Sequence, residues 1–506
     1  MTIDLSTITF TNGADIVPVS GQENIVNTGI ANTLDGNDTI TGIGLPDNPS
    51  TPPSSGYGIF NSGILNTAEG NDTITGFGRY LFFNSSPTNG YGIFNSGILN
   101  TAEDNDIITG TGAGGIYNIG IFNTAGGKDI ITAEGTYLFN GIVNIGIFNT
   151  GEGNDIITAT GDMYGGGDGI INTGTFNTGE GNDIITATGK ERGIYNSGNF
   201  NTADGNDEIS GSSSRNGGIS IADGSTFDTG NGNDRISGKS NTFASGIYNL
   251  SMTFNTGDGN DTLDGFGGGS GIYNKGLINT GNGKDTIIAK GGTIAGANPG
   301  GGLSNFSTID TGNGDDIIAA SGGIQNDGTI DTADGDDIIT GIISGFSNEP
   351  DKINGISNKG TINTGNGNDS IIAEGLFIDT NGTINAGDGK DTITSSKAID
   401  NQGTINTGNG ADFIIANGGF KGTGSVFLGD GKDYLNGFGT GNFNGGNNED
   451  TLELTSGTYT VGISGATVSF TNSGVIMQTS DFEKLIGGST TYNFTSLSQG
   501  QTIVVP

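Results

Sequence analysis

The 506-residue chain has no cysteine, no histidine and no tryptophan. Lack of cysteine excludes a disulfide framework and any thiolate metal centre. Lack of histidine removes the commonest general base at neutral pH and the commonest transition-metal ligand. Basic residues are few: 17 lysines and arginines stand against 54 acidic residues, and the arginines are Arg79, Arg192, Arg215 and Arg235 alone. The net charge of −37 repels nucleic acid and anionic membrane surfaces and attracts cations. No apolar run has the length of a membrane span, and residues 1–21 lack the basic start and apolar stretch of a signal peptide. With 31% hydrophobic residues and 100 glycines, one large mixed core is excluded.

Such a composition first suggests disorder. The apolar residues, however, recur at fixed places in a repeat, and that repeat governs the reading. Sixteen aspartates align it: Asp38, Asp72, Asp106, Asp129, Asp155, Asp183, Asp207, Asp234, Asp261, Asp285, Asp316, Asp337, Asp369, Asp391, Asp412 and Asp433, spaced 21 to 34 residues apart. Two residues after each of these anchors stands Ile or Leu, and seven residues before it an apolar residue, of which only Ala31 is small. A third apolar position opens most units in a Gly-Ile-aromatic-Asn phrase, as at Ile59, Ile93, Ile116 and Ile194. Some copies are nearly verbatim, and residues 149–161 and 177–189 are identical. Duplication of that kind is tolerated where each unit touches only its neighbours.

Glycine, Asn and Thr content and a period of two around the Ile and Phe positions argue against helix. Three short strands per unit fit instead, joined by glycine turns. Three apolar side chains cannot be buried by one unit alone, but coils stacked about 4.8 Å apart turn them into continuous inner ladders. The expected fold is therefore all-β: a parallel β-solenoid of about sixteen coils. Residues 1–23 are expected to form an N-terminal cap, 24–445 the repeats and 446–506 a C-terminal cap. Length variation falls mainly before the Gly-Ile phrase, as in Gly44–Tyr57, Arg79–Tyr91 and Ser344–Asn354, which read as protruding loops open to drift or binding.

Before the anchor the chain typically reads Thr-Gly-x-Gly-Asn-Asp, for instance Thr256-Gly257-Asp258-Gly259-Asn260-Asp261. The residue three before the anchor is acidic in ten copies and Asn in five. Each coil thus offers a carboxylate and a second side-chain oxygen on a glycine-rich turn, a set suited to a hard cation. Carboxylates repeating at coil spacing also need a counter-charge that the lysines are too few to supply. The alternative is that Asp after Gly-Asn is an ordinary turn residue bonding nearby amides. The Asn-Thr pair six and five residues before the anchor reads as a structural side-chain ladder. A regular outward Thr row would instead suit ice, and a flat Thr face free of insertions is the feature that would favour that reading.

The turn resembles the RTX, or haemolysin-type, calcium-binding nonapeptide Gly-Gly-x-Gly-x-Asp-x-(apolar)-x. Its nearest copy here is Gly445-Gly446-Asn447-Asn448-Glu449-Asp450-Thr451-Leu452, and elsewhere Thr replaces the first Gly. The resemblance implies that Asp38 through Asp433, together with Asp450, are ligands to Ca2+ along one edge. It further implies an extracellular or cell-surface protein of the Gly/Asn-rich cyanobacterial kind, exported by a type I route with the address in the last part of the chain. The functional expectation is a non-catalytic structural, matrix or adhesion protein. Its partners would be calcium ions and surface polysaccharide or other copies of itself, with no nucleic acid and no membrane insertion. A solenoid polysaccharide-degrading enzyme and an ice-binding module are the alternatives. Against an enzyme, no copy departs from the repeat to build a distinct constellation.

Overall fold

The computed structural model describes residues 1–18, 23–45, 56–79, 81–83, 86–88, 90–136, 138–291, 301–343 and 354–506. Most of the three expected protruding loops lies outside the described residues. The chain divides into two units, Met1–Gly269 and Ser270–Pro506. Each is a parallel β-solenoid, as the repeat predicts.

In the first unit every coil contributes three short strands, such as Ile59–Asn61, Ile64–Asn66 and Thr73–Phe77. Each pairs in parallel with its counterpart in the next coil, position for position. Ile59 pairs with Ile93, Leu65 with Leu99 and Ile74 with Ile108. Identical residues therefore stack on identical residues. Register is held because a slip by one residue would turn every apolar side chain outward. Ile116, Phe122 and Ile131 of one coil are fully buried, as are Ile142, Phe148 and Ile157 of the next. The rings of Phe122, Phe148, Phe176 and Phe200 form an inner stack, with centroids 4.5, 4.7 and 4.9 Å apart and nearly parallel planes. The first residues make an incomplete coil, since Thr2–Asp4 pairs with Asn24–Asn27 and Ile16–Val17 with Thr39–Ile43.

The second unit repeats the scheme with smaller side chains on its second strand: Ile309, Ile330, Ile362, Ile384 and Ile405 are all buried. Its last part leaves the solenoid pattern. Gly457–Ser464, Thr467–Asn472 and Val475–Ser480 form an antiparallel meander, and Thr502–Val505 pairs back on Gly457–Ser464. Two strands still continue the parallel ladders: Val475–Ser480 pairs with Gly441–Asn444, and Lys484–Gly487 with Thr451–Leu454. The apolar C-terminal segment is thus a strand of this sheet, with Ile503 and Val505 buried.

A second buried ladder accompanies the apolar ones. The Asn that ends the Gly-Ile-aromatic-Asn phrase faces inward. In the first unit Asn61, Asn95, Asn118, Asn144 and Asn172 each donate from Nδ2 to Oδ1 of the Asn in the next coil at 2.8–2.9 Å. The second Nδ2 proton goes to a main-chain carbonyl of that next coil, as from Asn95 to Ile121 at 2.7 Å. Asn274, Asn305, Asn326 and Asn358 repeat this in the second unit. Satisfying both donors removes most of the cost of burying an amide.

Candidate functional site: the aspartate ladder

The turn before each anchor needs backbone conformations that side chains rarely adopt. Gly151 and Gly153 have φ of +91° and +154°, and a Cβ on Gly153 would sit 1.5 Å from the carbonyl oxygen of Gly127. Glycine lets the turns of successive coils approach this closely. The turn carries the anchor Asp side chain inward. The anchors are at most 2% exposed, Asp450 included.

Within each unit one carboxylate oxygen of successive anchors accepts a backbone hydrogen bond from the coil before it. In the first unit the main-chain N–H of Asp72 donates to Oδ1 of Asp106, Asp155 to Asp183 and Asp207 to Asp234, each at 2.8 Å. The second unit follows suit from Asp285 to Asp316 and on to Asp433, whose amide donates to Asp450 at 2.9 Å. These bonds satisfy an amide that the tight turn would otherwise leave buried and unpaired.

The second oxygen is different. Oδ2 is buried and has no hydrogen bond of full geometry in Asp38, Asp72, Asp106, Asp129, Asp155, Asp183, Asp207 and Asp234 of the first unit, where a threonine hydroxyl is the one side chain that pulls on the carboxyl. Oδ2 is likewise buried without such a bond in Asp316, Asp337, Asp369, Asp391, Asp412, Asp433 and Asp450 of the second. The hydroxyl of the buried Thr five residues before the anchor lies beside the carboxyl. It donates to Oδ2 at 2.5 Å in the Thr256–Asp261 pair. In several coils it bonds the next coil's carbonyl instead, as from Thr33 to Thr67 and from Thr150 to Thr178, both at 3.1 Å, whereas the hydroxyls of Thr67, Thr101, Thr178, Thr311 and Thr332 make no hydrogen bond of their own. The Thr of the Asn-Thr pair is thus an internal structural ladder, and the Asn beside it faces out.

Electrostatics matches this geometry. Burial raises the carboxyl of Asp106 to about 8, against the opposing pull of the Thr101 hydroxyl and the Asp72 amide, and the negative charges of Asp129 and Asp72 add to the rise. Asp207 is pushed up to about 8 for the same reasons, and Asp129, Asp183, Asp316, Asp337, Asp391 and Asp450 to about 7. Like charges at coil spacing repel by roughly 3–4 kcal/mol at an effective dielectric near 20.

The second side-chain oxygen expected at each site stands elsewhere. The acidic residues three before the anchor, such as Asp35, Glu69, Glu103 and Glu152, are exposed on the outside of the turn. Among the described residues no group of three or more acidic side chains converges on one point. A cation here would be held by the orphaned anchor oxygen and by main-chain carbonyls of the turn. A buried, partnerless carboxylate oxygen in nearly every coil, in a chain without histidine or cysteine, fits a hard divalent ion.

Two members of the ladder escape the repeat pattern. The main-chain N–H of Asp15 donates to Oδ1 of Asp38 at 2.7 Å, so Asp15 occupies the anchor place of the incomplete first coil. In the second unit Oε2 of Glu483 accepts from the amide of Asp450 at 2.8 Å and closes the series. The one sequence signal for Asp15 is its spacing of 23 residues from Asp38, since its turn, Thr11-Asn12-Gly13-Ala14-Asp15, lacks the usual phrase. Glu483 carries no glycine signal.

No family model matches the chain, and no curated protein matches it. Among solved structures, the chain is similar to a hyperactive, Ca2+-dependent, β-helical antifreeze protein from an Antarctic bacterium. The two share 16% identity over 84% of each chain, with a TM-score of 0.30. At that degree of likeness nothing about this chain's activity follows from it.

Proposed function

We propose that the protein is a non-catalytic, extracellular, calcium-loaded structural solenoid. In this reading calcium neutralises the buried aspartate row, and the ion-stiffened coils present regular side-chain rows to the surroundings. The observation that carries it is the unpartnered, buried Oδ2 repeated from coil to coil in both units. An uncompensated row of charges at this burial is untenable at neutral pH. The row must either take up protons, as the raised carboxyls indicate, or bind a cation. Outside the cell calcium is abundant, and the oxygen-only chemistry of the turn favours it over softer ions. Asp38, Asp72, Asp106, Asp129, Asp155, Asp183, Asp207, Asp234, Asp261, Asp285, Asp316, Asp337, Asp369, Asp391, Asp412, Asp433 and Asp450 are the proposed carboxylate ligands. Their Oδ1 atoms keep the turn amides, and their Oδ2 atoms face the ion.

The non-catalytic part rests on access. An acid–base pair must reach its substrate, and the ladder carboxylates are enclosed and tied to backbone amides. Far-UV spectra and calorimetric melts of the full chain, in chelator and in millimolar calcium at pH 7.5, test the proposal. Gain of β-structure and a higher melting point on adding calcium are expected. Identical spectra and melting points in the two conditions would overturn it.

A further inference from the structure

The outward face of the second strands in the second unit carries a pattern that the cation reading leaves unused. Five successive strands, Thr308–Asp310, Thr329–Asp331, Thr361–Asn363, Thr383–Asn385 and Thr404–Asn406, have the form Thr-Ile-Asx. The central Ile is buried, while the flanking Thr and Asx lie on the outer side. Their register is unbroken: Thr308, Thr329, Thr361, Thr383 and Thr404 stand opposite one another, and so do the five Asx residues. The result is two straight rows, with neighbours about 4.8 Å apart along each row and about 6.6 Å between rows.

The two rows differ chemically. The Asx row is ordered by the protein itself: Asn385 donates to Oδ1 of Asn363 at 2.8 Å, and Oδ1 of Asp310 accepts from the amide of Gly312 at 3.1 Å. The five Thr hydroxyls make no hydrogen bond within the protein among the described residues. Their methyl groups share the same surface, and the β-branched side chain is stiff at χ1, so the row is held rigid at little entropic cost. The chain around these strands is short. In the coil of Asp369, Lys359-Gly360 joins the second strand to the first, and the glycine turn follows directly. On the same face of the first unit the Thr place is mixed: Ile64, Ile121 and Ile147 fill it and are 37–44% exposed, while Thr175, Asn199 and Thr226 follow in later coils.

We propose that this Thr/Asx face of the second unit binds ice. Rigid hydroxyls and methyls at these two repeats form a regular two-dimensional array. Free hydroxyls at one fixed spacing order a water layer, while the methyls between them keep that layer from mixing with bulk solvent. A soluble, flexible ligand would gain nothing from repetition at one strict spacing. A crystalline one gains with every coil added, because the entropy of ordering is met once for the whole array.

The test uses the full chain in calcium, with calorimetry run alongside so that loss of fold is seen separately. Wild-type protein should enter a slowly growing ice hemisphere and separate the melting and freezing points of seeded ice. Thr361→Tyr, which lifts the face off a flat surface, should lower both effects several-fold at an unchanged protein melting point. Thr394→Tyr, on the outward side of the third strand, should leave them intact. If Thr361→Tyr fails to fold, Thr361→Ser, which keeps the hydroxyl and removes the methyl, carries the same expectation of a several-fold loss. Exclusion of the calcium-loaded wild type from ice would overturn the inference. So would equal losses in the two Tyr variants, or retention on insoluble cellulose or chitin with no effect on ice. None of these results would touch the cation reading, which stands or falls on the calcium-dependent melt.

Discussion

The main-chain N–H of Asp155 donates to Oδ1 of Asp183 at 2.8 Å, across the gap between two coils. This one bond joins two roles in a single side chain. Asp183 completes the backbone of the preceding turn with one oxygen and leaves the other buried without a partner. The turn-residue and cation readings of the anchor are therefore not exclusive. Oδ1 fulfils the first and Oδ2 is available for the second.

Substitution at Asp183 separates the two oxygens. Asp183→Asn keeps the acceptor for the Asp155 amide and replaces the charged Oδ2 with a neutral amide. In calcium it should lower the melting point and reduce the number of ions bound. In chelator it should change little or stabilise, because repulsion along the row falls. Calorimetric melts of the variant in both conditions decide this, and stabilisation in saturating calcium would contradict the ligand role.

Acidity should act on the cation-free protein in a defined direction. An ordinary Asp carboxyl titrates near 4 in an unfolded chain, whereas burial raises Asp106 and Asp207 to about 8 and several others to about 7. Between those values the folded chain binds more protons than the unfolded one. Stability is then greatest below about pH 4 and is lost as pH rises through about 8. In chelator the melting point should fall between pH 5 and pH 8, and calcium should restore it at pH 8. A melting point in chelator that rises with pH would show that the row is not buried as described.

The asparagine ladder supports the fold independently of any ion. Asn144→Leu would remove the acceptor for Asn118 and the donor to Asn172. Each buried group left unsatisfied costs about 1–3 kcal/mol. The melting point should drop by a similar amount in calcium and in chelator. A drop confined to calcium would mean that this ladder, too, is coupled to the ion.

Gly153→Ala tests the close approach of the turns. At φ +154° and with 1.5 Å between the new Cβ and the Gly127 carbonyl, the substitution forces the coils apart. Destabilisation of several kcal/mol is expected on steric grounds, measured by denaturant titration of the full chain. A neutral outcome would rule out the tight turn.

The repeat disclosed the solenoid because its inner positions are apolar and periodic: Ile108, Phe122 and Ile131 could be assigned to the interior from spacing alone. The direction of the anchor side chain could not. Aspartate is usually exposed, and its burial here depends on an amide supplied by another coil, a relationship invisible within one repeat. The inward Asn118 was hidden likewise, since its partners Asn95 and Asn144 lie 23 and 26 residues away. Asp15 and Glu483 were missed because position in the ladder, not the glycine phrase, defines them.

The most direct test is a crystal structure of the full chain grown in calcium, with anomalous scattering used to place the ions. The account predicts a row of metal positions beside the Oδ2 atoms of the aspartate ladder in both units. Refined carboxylates whose Oδ2 atoms bond only threonine hydroxyls or water, with no metal along the row at saturating calcium, would contradict it.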